Sequence, residues 1–370
     1  MKTYIYFIFY VIICGACSKK NSEQLVLNFN LLGEAKVSEV IQEYSVIPLE
    51  TTNDNLIVDV TVVKLTKNKI FILEPFSPSK SLHAFNIDGK YLGKVGGLGR
   101  ASNEYIMPHY FVLDKKRNKI ILMDIGTSKI LTYDMTTFEF IKSYKVPFYS
   151  DCFEILDDDH LIWYVSSGLQ NKGEFSKHIQ ITDMECNPVA SFVDRIPNMG
   201  GLYNVSSFFA HDENKTYFHH PFMAEYYDCM LSENAFKQST FSLNFAEHPF
   251  AMKKFISQHS DNIIERLQSA AYVDWCDIFM NSSRKLCYFG AGKEIYWGIY
   301  ENNKGRYVNR HNLEDDLGIG RLSRPKGIYN DYFVSAIYME NVEELPENSI
   351  LKPYVDSTHF GGNPLIILYK

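Results

Sequence analysis

The feature that most limits what this chain can fold into is a series of short apolar or aromatic runs that recurs every 48–50 residues. Asn68-Lys69-Ile70-Phe71-Ile72-Leu73-Glu74 is echoed fifty residues on by Asn118-Lys119-Ile120-Ile121-Leu122-Met123-Asp124, and His83-Ala84-Phe85-Asn86 is echoed by Leu131-Thr132-Tyr133-Asp134. A weaker third copy runs through Asp159–Tyr164 and Ile179–Asp183, with further candidates at Asn214–Phe218 and Arg284–Phe289. Within the first unit, Val58–Leu65, Ile70–Leu73, Leu82–Asn86 and Tyr91–Val95 follow one another, separated by turns rich in Gly, Asn, Asp and Lys. Such runs read as strands. Asn86-Ile87-Asp88-Gly89-Lys90 reads as a hairpin turn, because Asp-Gly supplies the positive φ that a tight connection needs. A four-strand unit repeating at this period is the signature of a β-propeller blade. The 346 residues from Leu25 to Lys370 hold six or seven blades, and the unevenness of the later units favours six.

One segment breaks the pattern. Pro249–Ala271 carries Phe250, Phe255, Ile256, Ile263, Ile264 and Leu267 at helical spacing, with Lys253, Lys254, Glu265 and Arg266 between them. The expected fold class is therefore all-β, a six-bladed β-propeller with one or two short helices inserted in a late blade, either capping a propeller face or covering an exposed strand. An open array would leave edge strands free to pair with other chains. Leu25–Asn30 or Tyr44–Leu49 is thus expected to complete the sheet that holds Pro364–Tyr369 and so close the ring.

The beginning of the chain carries a different signal. Lys2 precedes an apolar run from Ile5 to Ile13, and Gly15-Ala16 stand directly before Cys17. A positive charge, a short apolar core and small residues before a cut site are the anatomy of a secretory signal. The run is shorter than the roughly 20 residues that a bilayer span needs. The cysteine at the expected cut, followed by polar Ser18–Glu23, resembles the lipobox of bacterial lipoproteins, although Cys14 stands where Leu is usual. The resemblance implies a lipoprotein signal peptide over 1–16, a lipidated Cys17, a tether over 17–24 and a single propeller domain over 25–370. Ordinary cleaved secretion and an uncleaved anchor are the alternatives. The membrane, reached through the lipid on Cys17, is then the first partner. The segment after Cys17 lacks an acidic cluster, which favours the periplasmic side of the outer membrane over the cell surface.

Charge narrows the partners further. The whole chain has 37 Lys+Arg against 44 Asp+Glu, and removing residues 1–16 takes away Lys2 alone, so the formal charge passes from −7 to −8. No basic patch offsets this, which argues against nucleic acid. With 15% aromatic and 46% hydrophobic residues the chain is no disordered polypeptide. Five cysteines follow Cys17, none in a C-x-x-C pair. Cys276 and Cys287 lie in apolar runs that read as neighbouring strands, so they are expected either as a disulfide or as buried free thiols.

The stretch Leu82–Tyr105 resembles a family of Bacteroidota lipoproteins, the six-bladed β-propeller proteins, related in pattern to NHL repeats. Its hairpin turn leads into a glycine-rich segment that keeps Gly97, Gly99, Glu104 and Tyr105 but places Ala101-Ser102-Asn103 where the family has Gly-Pro-Gly. The final Asn363–Lys370 also looks like the family's closing strand. The resemblance implies the fold and leaves function open.

No strong catalytic motif is present: there is no G-x-S-x-G, H-E-x-x-H, Walker A, complete G-x-G-x-x-G or EF-hand loop. Accordingly no catalytic residue, metal or cofactor is assigned. Gly97-x-Gly99 reads as a flexible crossing between blades. His211, His219, His220, Asp212 and Glu225 offer metal-ligand chemistry, but adjacent His219 and His220 on a strand point to opposite faces. Asp157-Asp158-Asp159 before His160 reads as a solvated hairpin turn rather than a calcium site. Two loop clusters are candidate ligand sites. Arg100, with Glu104 and Tyr105, could offer a guanidinium fork to a carboxylate or sugar hydroxyl and a ring to stack, or else brace adjacent blades. Arg321, Arg324 and Lys326, set among Gly318, Gly320 and Gly327, invite the same two readings. The expected role is a lipid-anchored binding or interaction module for a glycan, peptide or envelope protein. A lactonase-like propeller hydrolase or lyase is the rival, and a purely structural subunit a third reading.

Overall fold

Val62–Leu65, Lys69–Leu73, Leu82–Asn86 and Tyr91–Lys94 pair in chain order as one antiparallel sheet, and the same unit returns five more times around a ring. The computed structural model describes residues 24–165, 175–195, 207–212, 215–232, 235–257, 263–339, 345–355 and 361–370. Segment 1–16, Cys17 and all but the last residue of the 17–24 tether lie outside the described residues. Counting from that first sheet, blade 2 is Pro108–Asp114, Lys119–Asp124, Lys129–Asp134 and Phe140–Lys145. Blade 3 is Cys152–Ile155, His160–Tyr164, Lys177–Asp183 and Pro188–Asp194; blade 4 is Phe209–His211, Thr216–His219, Glu225–Asp228 and Phe241–Phe245. Blade 5 is Val273–Met280, Arg284–Ala291, Glu294–Glu301 and Lys304–Asn309; blade 6 begins with Gly327–Tyr329, Tyr332–Ile337 and Leu365–Tyr369.

The ring closes as required. Tyr44–Pro48 adds the fourth strand to blade 6, antiparallel to Leu365–Tyr369, with Tyr44 opposite Tyr369 and Pro48 opposite Leu365. The other candidate, Leu25–Leu32, does something the repeat did not announce. It lies between the outer strands of blades 4 and 5, parallel to both, and joins them into one nine-stranded sheet. Edge groups that each outer strand would leave to solvent are thereby paired.

Middle strands are apolar along both faces because a blade is packed on both sides by its neighbours. Ile70, Phe71, Ile72 and Leu73 are all fully buried, whereas Tyr91–Lys94 at the rim is half-exposed. The core is accordingly a set of inter-blade seams: Ile47, Ile70 and Ile366 between blades 6 and 1, and Phe245 stacked on Phe289 at 4.0 Å between blades 4 and 5. Among the described residues the α-helices are three short ones, Val37–Val40, Met252–Ser257 and Ile263–Ser269. The last two fall in the expected insertion, between blades 4 and 5, where Met252, Phe255 and Leu267 pack with Phe222 of a blade 4 turn. Cys276 and Cys287 are buried free thiols, and Cys276 Sγ donates to the Asp277 carbonyl oxygen at 3.6 Å.

The strand read from Val58 starts only at Val62. Glu74 Oε1 accepts the N–H groups of Val58 and Asp59 at 2.7 and 3.2 Å, and Tyr338 Oη accepts that of Val60 at 2.6 Å, so these donors are not free for a ladder.

Candidate functional site: the central channel

A strand's side chains alternate between its two faces, so each innermost strand turns every second residue toward the ring axis. The six inner strands enclose a cavity of about 650 Å³. Each blade brings a polar side chain to it: Lys64 from blade 1, Tyr110 from blade 2, Glu154 from blade 3, His211 from blade 4 and Asp277 from blade 5. Lys326, directly before the inner strand of blade 6, completes the circle. Val62, Val112, Phe209 and Ile278 form apolar wall between them. Lys115, Asp212, Asn281 and Asn330 follow the inner strands and line one end of the channel.

Glu154 is the hub. Its Oε1 accepts from Lys64 Nζ at 2.9 Å and from Tyr110 Oη at 3.0 Å, and lies 3.4 Å from His211 Nε2. Burial alone would raise its carboxyl, but the Lys64 ammonium and His211 outweigh it and hold the group down at about 2. Four blades are thus linked through one carboxylate. Tyr110 is buried, and burial beside Glu154 pushes its phenol well above the ordinary tyrosine value. Opposite this cluster, Arg324 Nη1 donates to Asp277 Oδ2 at 3.1 Å. Burial and the Arg324 guanidinium lower the Lys326 ammonium to about 8.

The residues expected to bind from the loops fare differently. Arg100 is exposed on the crossing from blade 1 to blade 2, away from the channel lining. Glu104 turns back on its own loop: Oε2 accepts Ala101 N–H at 2.8 Å and fills the space that a Cβ at Gly99 would occupy. Tyr105 is 0% exposed within the seam between blades 1 and 2. That corrects the expectation of a ring available for stacking, since a side chain committed to core packing offers no face to a ligand. Arg321 is exposed, whereas Lys326 of the same cluster lines the channel and Arg324 pairs with Asp277 of that lining.

These histidines do not converge on one site. His211 faces Glu154 in the channel, while His219 is buried and stacks on Tyr226 at 4.8 Å. Glu225 pairs with Lys253 and Asp212 accepts from Tyr217 Oη at 2.7 Å. Among the described residues no group of three His, Cys, Asp or Glu has metal-binding geometry. Asp157 caps its own hairpin turn, accepting from Asp159 N–H and His160 Nδ1 at 2.8 Å each.

Lys64, Tyr110, Glu154 and Asp277 were not singled out from the sequence. A signal for two of them existed: Val62-Val63-Lys64-Leu65 and Cys152-Phe153-Glu154-Ile155 each carry one charge at the third place of an otherwise apolar inner strand. Tyr110 has no such mark among the many aromatics.

Residues 16–336 match the family model DUF5128, described as 6-bladed beta-propeller. Among solved structures, a candidate exported protein of Bacteroides fragilis is similar at 20% identity and a TM-score of 0.80, over 93% of this chain and 99% of that one. A member of the duf4221 family from Bacteroides vulgatus aligns at 10% identity and a TM-score of 0.47, over 89% of this chain and 97% of that one. Among curated proteins none matches the sequence.

Proposed function

The chain belongs to the DUF5128 family of 6-bladed beta-propellers, and from that premise we propose that it is a binding module of the bacterial envelope that takes a small polar ligand in its central channel. The observation that carries this is the channel itself: an open cavity of about 650 Å³ into which each blade sends a polar side chain between apolar wall residues. Binding sites combine apolar walls with a few placed polar groups in this way. Sites of similar volume hold molecules the size of a mono- or disaccharide or a short peptide.

The envelope part of the proposal rests on the signal segment 1–16 and on Cys17 as the lipid-bearing residue, with the polar residues 18–24 as tether. The likeness of the fold to a candidate exported Bacteroides protein supports it. A lipid at Cys17 would hold the ring at a membrane on its periplasmic side, within reach of glycans, peptides and envelope proteins. The NHL-like character of the blades belongs to the same proposal.

The test is a calorimetric binding panel of neutral sugars, sugar acids and short peptides on the mature chain carrying Cys17→Ser. A second arm uses Thr216→Trp, which sets a large side chain at the end of the channel. Binding to the first protein that is lost in the second supports the channel. Binding that survives unchanged in Thr216→Trp, with its folding verified by circular dichroism, places the site elsewhere.

A further inference from the structure

Deepening that reading and resting on it, we infer that the ligand of the channel carries an acidic group, which Lys326 is placed to receive, with Lys115 as a further cation of the lining. Each carboxylate there already has partners. Glu154 takes Lys64, Tyr110 and His211; Asp277 takes Arg324; Asp331 accepts Ser282 N–H at 2.8 Å and stands 3.7 Å from Lys370 Nζ. Asp212 accepts Lys215 N–H at 2.9 Å as well as Tyr217 Oη.

The cations are not matched in the same way. Lys64 and Arg324 are paired, but among the described residues Lys326 and Lys115 have no carboxylate within ion-pair distance. Lys115 has only the face of the Tyr329 ring, 5.6 Å from its Nζ. Lys326 is half-buried, with Arg324 as a repelling neighbour and Asp59 and Asp277 too far to pair. Lys326, half-buried and without a counter-ion beside carboxylates that are all engaged, leaves a site whose unmet demand is for negative charge, and exposed Lys115 adds a second cation to the same lining. An ammonium held in such a place costs the empty protein stability, and an entering anion relieves that cost. The lowered value of Lys326 agrees with this. A carboxylate or a phosphate would satisfy Lys326, as both accept charge-assisted hydrogen bonds from ammonium groups.

The test compares probes that share a frame and differ in charge. D-glucuronate and D-glucose differ only in a carboxylate against a hydroxymethyl group; inorganic phosphate forms a third arm. Each is titrated into the Cys17→Ser chain at low and high salt. The inference expects glucuronate or phosphate to bind about tenfold or more tightly than glucose. It also expects affinity to fall with salt, and to be lost in Lys115→Met/Lys326→Met but kept in Lys326→Arg. Tighter binding of glucuronate than phosphate identifies a carboxylate ligand, and the reverse identifies a phosphate. Equal affinity for glucose and glucuronate, acid binding unchanged in the double Met variant, or equal loss in Lys326→Arg overturns the inference. Should glucose or the short peptides of the earlier panel bind in the channel while acids do not, the binding reading stands and only the acidic ligand falls. If no probe binds at all, both fall.

Discussion

Glu154 and Lys326 face one channel and are held in opposite senses. Glu154 is stabilised as a carboxylate down to about 2, against an unfolded value near 4.3, so folding gains about 3 kcal/mol from it. The sign follows from the lowered value: the contribution is present above pH 4.3 and is lost as pH falls through that value toward 2. Glu154→Gln is therefore expected to cost about 3 kcal/mol at pH 7, and chemical denaturation across pH should show the gap to wild type closing below pH 4. Lys326 is lowered to about 8, so its charge opposes folding below pH 8, and the penalty fades as pH rises toward the unfolded value near 10.4. Since the side chain keeps contact with the lumen, the penalty is reduced by solvent screening to about 1–2 kcal/mol. Lys326→Met should raise the stability of the ligand-free protein at pH 7 by that amount and lose the advantage by pH 10 to 11. A Met variant less stable than wild type at pH 7 would show that Lys326 is already satisfied. How much of this site could be read from the sequence follows from the same residues. Lys64 and Glu154 show as charges inside apolar runs, but their meeting, 90 residues apart, depends on which strand of each blade is innermost. Arg324 and Lys326 were legible as a cluster, while Tyr105 misled because an aromatic in a loop gives no sign of its burial.

At the scale of elements, turns were legible and long-range pairing was not. The Asn86–Lys90 hairpin was read from Asp-Gly, and Gly89 does stand at φ +87°, with Asn86 Oδ1 accepting from Asp88 and Lys90 N–H. A Cβ there would sit 2.0 Å from the Pro48 carbonyl oxygen of the neighbouring blade. Gly89→Ala should therefore cost about 2 kcal/mol, from the positive φ and the clash together, visible as a lowered melting temperature. The strand Leu25–Leu32 was also legible, yet its partners were not. Parallel pairing to Phe241–Phe245 and Lys304–Asn309 leaves no periodic mark at a distance of more than 200 residues. Phe29 anchors it, 1% exposed and 4.9 Å from Phe245 and 5.6 Å from Tyr300. Phe29→Ala should destabilise by about 3–5 kcal/mol. Hydrogen exchange should then rise in both outer strands at once; a rise in one blade alone would mean the strand does not couple them.

On the scale of the whole molecule, one ring accounts for the repeat, for the aromatic seams and for a channel whose polar lining comes from every blade. The repeat narrowed the blade count to six or seven, with six favoured, and the closing strand to two candidates, because identical units need identical neighbours. The lining was not readable, because propeller sites draw single residues from distant repeats. Hydrogen–deuterium exchange of the Cys17→Ser chain with saturating D-glucuronate tests the central claim most directly. A ligand in the channel must protect Val62–Leu65, Cys152–Ile155 and Gly327–Tyr329 together, three inner strands from three blades, while leaving the rim strand Tyr91–Lys94 unchanged. Protection confined to one blade's outer strand or to the loop over residues 95–107, or no protection anywhere, would contradict the account.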